Sequence, residues 1–323
     1  MDHAAVEPAG ADSEGSDPTV SAAASSDAAG DLVASWRDRG ELLDSPEGRV
    51  FVVDTAASVA VTAPPLVVLH GFPTSSFDFR TVLDTLCANR RVILFDQIGF
   101  GLSDKPDRRY GIHLHADTAA HVIAELGIEE FDLLTHDMGD SVGGELLARD
   151  LDGSLGRTIR RRVITNGSIY LELAQLTIGQ QLLMGLPDEA TDELAVEGFV
   201  NGVTGTFAEA SPIDLVDAAA HGLIARNNGG LRLMARLIRY LEDRQAEESR
   251  YTGAIESHPS PLQIVWGDLD PVAVVAMAHR LAGRRADRSG EPGGRLEILE
   301  GVGHYPMIEA PERFAAAVLR GLT

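Results

Sequence analysis

Cysteine occurs once in the 323 residues, at Cys87, so neither a disulfide nor a thiolate metal cluster can hold this chain together. Cys87 lies in a run that reads as a helix and is expected to be a small core hydrophobe. Basic residues are scarce against acidic ones: 27 Lys and Arg face 49 Asp and Glu, giving a formal charge of -22. A charge of that size repels polyanions, which excludes nucleic acid and anionic membrane surfaces and leaves a small neutral organic substrate and water as partners. No stretch approaches the ~20 apolar residues that a membrane-crossing helix needs. The N-terminus also lacks the basic start and apolar run of a secretion signal, so a cytoplasmic location is expected. Residues 1–30 contain no Lys, Arg or aromatic side chain, while Asp2, Glu7, Asp12, Glu14, Asp17 and Asp27 make them acidic. Such a segment cannot bury enough surface to offset its chain entropy and is predicted to be a disordered tail.

The hydrophobic fraction of 44% and the charged fraction of 24% are those of an ordinary globular protein with a sizeable core. From Arg49 onward, short β-branched runs alternate with helical patterns. RVFVVDT and SVAVTA read as a strand pair, followed by LVVLH (66–70), RVILFD (91–96), FDLLTH (131–136), RRVITNG (161–167), LQIVWG (262–267) and RLEILEG (295–301). Stretches such as HADTAAHVIAELG (115–127) have the helical period. Strands alternating with helices predict a mainly parallel sheet covered on both faces, with functional residues at the carboxyl ends of the strands. About 95 residues separate Asn166 from Gln263, far more than one strand-helix unit needs. LELAQLTIGQQLLMGL, DELAVEGFVNGV, PIDLVDAAAHGLIAR and GGLRLMARLIRYLEDR inside that interval look helical, which predicts a helical cap at 168–257 inserted into a core of 31–167 and 258–323.

G-x-S-x-G, the usual nucleophile turn between a strand and a helix, occurs nowhere in the chain, which disfavours serine esterase chemistry. In its place Thr135, His136, Asp137, Met138 and Gly139 join the FDLLTH strand to the next helix, with Asp137 central. A carboxylate there can attack an electrophilic carbon and form an ester that water then cleaves. Taken singly, Asp137 reads equally as a helix N-cap. Its neighbours weigh against that. His70, Gly71, Phe72 and Pro73 follow a strand, so the backbone N–H groups of Phe72 and Met138 are placed to form an oxyanion hole. GVGHYP supplies His304 as a general base after the last strand, and WGDLDPV offers Asp268 and Asp270. Asp270 is preferred as the acid that orients the base, because it stands further out on its loop. The order Asp137, Asp270, His304 is then nucleophile, acid, base. Gly99, Gly101 and Asp104 fall short of a dinucleotide fingerprint, and the spacings of His113, His115 and His121 match no known metal site. Neither a cofactor nor a metal is expected.

These motifs resemble the α/β-hydrolase superfamily over roughly residues 36–320, and within it the aspartate-nucleophile branch of epoxide hydrolases and haloalkane dehalogenases. HGFPTSSFDF, DQIGFGLSDKP, THDMGDSV and RNNGG are most similar to the mesoderm-specific transcript group. The resemblance implies an α/β-hydrolase fold, with an eight-stranded, mainly parallel sheet and a helical cap after strand 6. Haloalkane dehalogenases usually hold the departing halide with Asn and Trp where this chain has Phe72 and Met138, neither of which donates through its side chain. Epoxide hydrolases use cap tyrosines to protonate the opening epoxide oxygen. Tyr240 fits the late tyrosine of that pair, though it reads equally as packing between cap and core, and Tyr170 is the possible second acid. Opening of small epoxides is therefore the expected activity, with C–halogen hydrolysis second and a ligand-binding pseudoenzyme as the reading from outside enzymes.

Overall fold

LVVL and VILF are apolar at every position, the pattern of strands covered on both faces. The computed structural model describes residues 18–55, 63–188, 193–289 and 295–323. In it both segments, β3 (Leu66–Leu69) and β4 (Val92–Phe95), are buried throughout. With β1 (Glu41–Leu43), β2 (Val50–Asp54), β5 (Glu130–His136), β6 (Thr158–Thr165), β7 (Leu262–Gly267) and β8 (Arg295–Leu299) they form an 8-stranded sheet in the order β1-β2-β4-β3-β5-β6-β7-β8. β1, β2 and β4 pair antiparallel, and from β4 to β8 every pairing is parallel. SVAVTA, expected to partner RVFVVDT, lies almost wholly outside the described residues. Among the described residues β2 lies between β4 and Glu41–Leu43, the latter three residues too short to carry a strand pattern.

Helices cover the sheet. α1 (Pro18–Arg37) precedes it; α2 (Arg80–Leu86), α3 (Ile112–Glu125) and α4 (Met138–Asp152) follow β3, β4 and β5. Among the described residues six α-helices lie between β6 and β7: α5 (Ile178–Gly185), α6 (Val196–Thr204), α7 (Leu215–Arg226), α8 (Met234–Leu237), α9 (Tyr240–Ala246) and α10 (Glu248–Ser257). α11 (Ala276–Ser289), α12 (Pro306–Glu309) and α13 (Pro311–Gly321) complete the chain. Local sequence sets several of these ends. Thr177 and Gln180 form a reciprocal capping box at the start of α5, and Asp214 accepts from the Val216 and Asp217 amides to open α7. The inserted α10 packs along α4, where Gly144 lets the Tyr251 backbone approach.

The tail expectation is corrected for residues 18–30, which belong to α1. Ala29, Val33 and Trp36 recur at helical spacing and are buried, and the Trp36 ring meets the edge of Phe77 with centroids 5.8 Å apart. That apolar stripe begins at the end of the acidic segment, so composition summed over 30 residues concealed it. Residues 1–17 lie outside the described part. The stretch at 171–186 is helical only over α5, with a single 3-10 turn at Leu171–Leu173 before it.

Two strand pairings place the functional loops. β3 and β5 run parallel with Leu69 beside Thr135, so the segment after β3 and the turn after β5 emerge together. β7 and β8 do the same with Gly267 beside Leu299, bringing their following loops side by side. Among the described residues no helix is long and apolar enough to cross a membrane.

Candidate active site

The turn between β5 and α4 is strained at one residue. Asp137 has φ 53° and ψ -119°, a conformation that costs a non-glycine residue on the order of 1–3 kcal/mol and that thrusts its side chain out of the turn. Two glycines permit it: a Cβ on Gly71 would stand 2.6 Å from Asp137 Oδ1, and one on Gly139 would stand 2.9 Å from the His70 carbonyl oxygen. Asp137 occupies the N-cap position of α4, yet its side chain makes no capping bond. Its Oδ1 instead accepts from the Phe72 backbone N–H at 2.7 Å. Burial alone would raise its pKa, but His304, His136 and the Met138 amide outweigh burial and hold the carboxyl below its ordinary value. The two expected oxyanion donors, Phe72 and Met138, therefore both act on the carboxylate itself.

His304 stands on the other side of Asp137. Its Nε2 lies 3.6 Å from Asp137 Oδ2, a charge contact too long for a hydrogen bond, while its Nδ1 lies 2.8 Å from Asp270 Oδ2. Burial disfavours the imidazolium, but the carboxylates of Asp270 and Asp137 prevail and raise the pKa to about 10. Asp270 is saturated: Oδ1 accepts from the Val272 and Ala273 amides at 2.7 and 2.9 Å, and Oδ2 also accepts from Asn166 Nδ2 at 2.8 Å. Asp268, the alternative acid, takes the Gly301 amide at 2.7 Å and shapes the loop after β8.

Tyr240 and Tyr170 separate. Tyr240 is buried with its ring 5.9 Å from that of Phe72, and its hydroxyl interacts electrostatically with the Asp137 carboxylate. Burial, reinforced by Asp137, holds that phenol firmly protonated. The Tyr170 hydroxyl donates to Glu256 Oε1 at 3.0 Å, and the Arg280 guanidinium lies 4.4 Å over its ring. The Tyr170 hydroxyl is thus committed to Glu256, and the expectation of a second acid there is withdrawn. A cavity of about 350 Å³ opens against the site. Phe72 and His304 form its inner wall, and Leu183, Phe199, Val203 and Met234 of the insertion line the rest.

The model of the Alpha/beta hydrolase family matches residues 66–317. This chain belongs to that family. LipZ of Mycobacterium tuberculosis, which carries a hydrolase name, is 39% identical over 89% of this chain and 96% of its own. The human mesoderm-specific transcript homolog protein is 33% identical over 88% of this chain and 86% of its own, in keeping with the motif resemblance. Among solved structures, haloalkane dehalogenase DbeA from Bradyrhizobium elkani superposes with a TM-score of 0.72 at 21% identity, covering 88% of this chain and 97% of its own, a likeness of fold.

Three residues of this alpha/beta hydrolase site escaped sequence reasoning. Asn166, at φ 46°, ends β6 and bridges Asp270 to the Gly267 amide, which its Oδ1 accepts at 3.0 Å. Glu309 accepts from the amides on both sides of His304, Gly303 at 2.7 Å and Tyr305 at 2.9 Å. Burial lowers the His136 pKa to about 4, so its neutral ring can donate from Nε2 to the His304 carbonyl oxygen, 2.8 Å away. A polar residue ending a strand beside an expected acid was the available signal for Asn166. Glu309 gave none, because nothing in its own helix marks the loop it braces.

Proposed function

We propose that this alpha/beta hydrolase opens small epoxides to diols through an ester formed on Asp137, with the insertion acting as a cap that keeps bulk water from the ester. The observation that carries the proposal is the carboxylate itself: it fills the strained turn, with Oδ1 held by backbone N–H and Oδ2 free to attack. Oδ2 displaces the ring oxygen from one epoxide carbon, the C–O bond breaks, and the oxygen takes its proton from Tyr240. Asp137 is then a neutral ester. The loss of its charge lowers the His304 pKa, so His304 gives up its proton, which restores the Tyr240 phenol through solvent.

Neutral His304 next takes a proton from water, whose oxygen attacks the Asp137 carbonyl carbon. Negative charge develops on Oδ1, already held by the Phe72 amide, and the Met138 amide beside the carboxylate joins it in stabilising the tetrahedral intermediate. Collapse expels the alkoxide, which His304 protonates. The carboxylic acid left at Asp137 returns its proton to His304 and restores the ion pair. The apolar walls of the 350 Å³ cavity suit a neutral organic substrate. The same carboxylate could displace a halide, but Phe72 and Met138 offer no side-chain donor to a leaving halide, which favours the epoxide.

The test is a panel of epoxides and haloalkanes assayed for both diol and halide, run alongside His304→Gln. Diol formation by the wild type, with Asp137 esterified in His304→Gln by mass spectrometry, is the expected result. Halide release without diol from any epoxide would contradict it.

A further inference from the structure

Four arginines among the described residues are buried: Arg90, Arg162, Arg239 and Arg244. Three have evident partners. Arg90 pairs with Asp132 at 2.7 Å, Arg162 donates to the Ile255 and His258 carbonyl oxygens, and Arg239 pairs with Asp188 at 2.7 Å. Arg244, only 3% exposed, has no hydrogen bond or ion pair among the described residues, and its Nη2 is sealed from solvent without an acceptor. A buried cation in that state is costly, so a fold that retains one invites a reason beyond stability.

Its surroundings supply one. Arg244 follows Tyr240 by four residues on α9, so both side chains lie on one helix face. Burial works against its charge, and the groups that favour it are Tyr240 once ionised, then Asp137, Glu248 and Asp140. The other two acids do not pair with it. Glu248 accepts from the Leu171 amide at 2.8 Å, and burial pushes the Asp140 carboxyl well above the ordinary carboxylate range, which disfavours its charge. Asp137, Tyr240 and Arg244 are each 3% exposed, the same thin margin of access.

We propose that Arg244, with the Tyr240 hydroxyl, forms an anion site that receives the negative charge displaced from Asp137 when the substrate bond breaks. Resting on the aspartate-ester reading above, the inference follows from charge balance. Before attack the negative charge is on Asp137; after attack Asp137 is neutral, and the charge sits on the departing atom and then on Tyr240, beside Arg244. The guanidinium is a counter-ion in both states, which neither Phe72 nor Met138 can be. The site serves any single departing anion, an alkoxide oxygen or a halide.

Asp137→Asn reproduces the charge state after attack, so the site can be titrated without a substrate. Bromide is the probe, followed by isothermal calorimetry in the wild type, Asp137→Asn, Asp137→Asn/Arg244→Lys and Asp137→Asn/Arg244→Gln. Bromide is expected to bind Asp137→Asn at least about tenfold more tightly than the wild type, because the competing carboxylate is gone. Arg244→Gln in that background should weaken binding about tenfold or more, with Arg244→Lys in between. No bromide binding to Asp137→Asn, or equal binding with Gln at 244, would overturn the proposal. Comparison of the wild type with Asp137→Asn leaves Arg244 untouched, and an affinity unchanged between them would overturn the proposal even if the double variants do not fold. Bromide binding through Arg244 in a protein that forms neither diol nor halide would uphold the anion site and refute the proposed activity. Turnover without such binding would do the reverse.

Discussion

Replacing Asp137 by Asn keeps the shape of the side chain and removes one charge 3.6 Å from His304 Nε2. At an effective dielectric constant near 20, a unit charge pair at that separation is worth about 4–5 kcal/mol, or roughly 3 pH units on the partner's titration. The His304 pKa, about 10 in the wild type, should therefore fall toward neutrality in the variant. Proton NMR of the imidazole C–H resonances, with His304 assigned by its loss in His304→Gln, reads this directly. The same charge leaves Asp137 when its ester forms, so the shift turns a resting imidazolium into a working base near neutral pH. Stability follows with a definite sign. His304, raised above its unfolded value, stabilises the fold below about pH 6.5 and loses that contribution as pH climbs through about 10. Asp137, lowered, contributes above its unfolded value and loses that as pH falls through its folded one. Asp137→Asn should flatten the profile of unfolding midpoint against pH at both edges. A His304 titration unchanged by Asp137→Asn would refute the reasoning.

Asp270→Asn should let the ester form but slow its hydrolysis by about 10⁴-fold, because an amide cannot accept from all four donors around Asp270 or support the imidazolium; stopped-flow separation of the two steps checks this. Gly71→Ala should lower kcat by about 100-fold or more in steady-state assays, with a smaller effect on the unfolding midpoint, since its Cβ would stand 2.6 Å from Asp137 Oδ1 and displace the nucleophile. Tyr240→Phe should reduce kcat on epoxides about 100-fold, whereas Tyr170→Phe should stay within about twofold of the wild type, its hydroxyl being spent on Glu256. Equal losses in the two tyrosine variants would remove Tyr240 from its role.

The sequence was most legible where one residue type answers to one local demand. LVVL and VILF announced buried parallel strands, and HGFP before THDMG marked two strand ends whose parallel pairing now sets Phe72 beside Asp137. Asp270, further out on its loop, is the acid that contacts His304 Nδ1, whereas Asp268 holds the loop after β8. Legibility failed where a contact runs through the backbone or joins residues far apart in the chain. Glu309 braces His304 through backbone amides, and such a bond leaves no mark on the residue type it reaches. Tyr170 looked free because Glu256 and Arg280, 86 and 110 residues later, were not visible as its neighbours. Arg244 passed unnoticed for the opposite reason: an arginine in LEDR reads as a solvated helix face, and only its burial makes it exceptional.

The central claim, that Asp137 is esterified and its own carbonyl carbon is attacked by water, is tested most directly by a single turnover in water labelled with oxygen-18, enzyme in excess over an epoxide that it opens. The account predicts that the new oxygen of the diol comes unlabelled from Asp137 Oδ2, while the peptide containing Asp137 gains the label. Label in the diol of that first turnover, with none in the peptide, would show water attacking the substrate directly and would contradict the account.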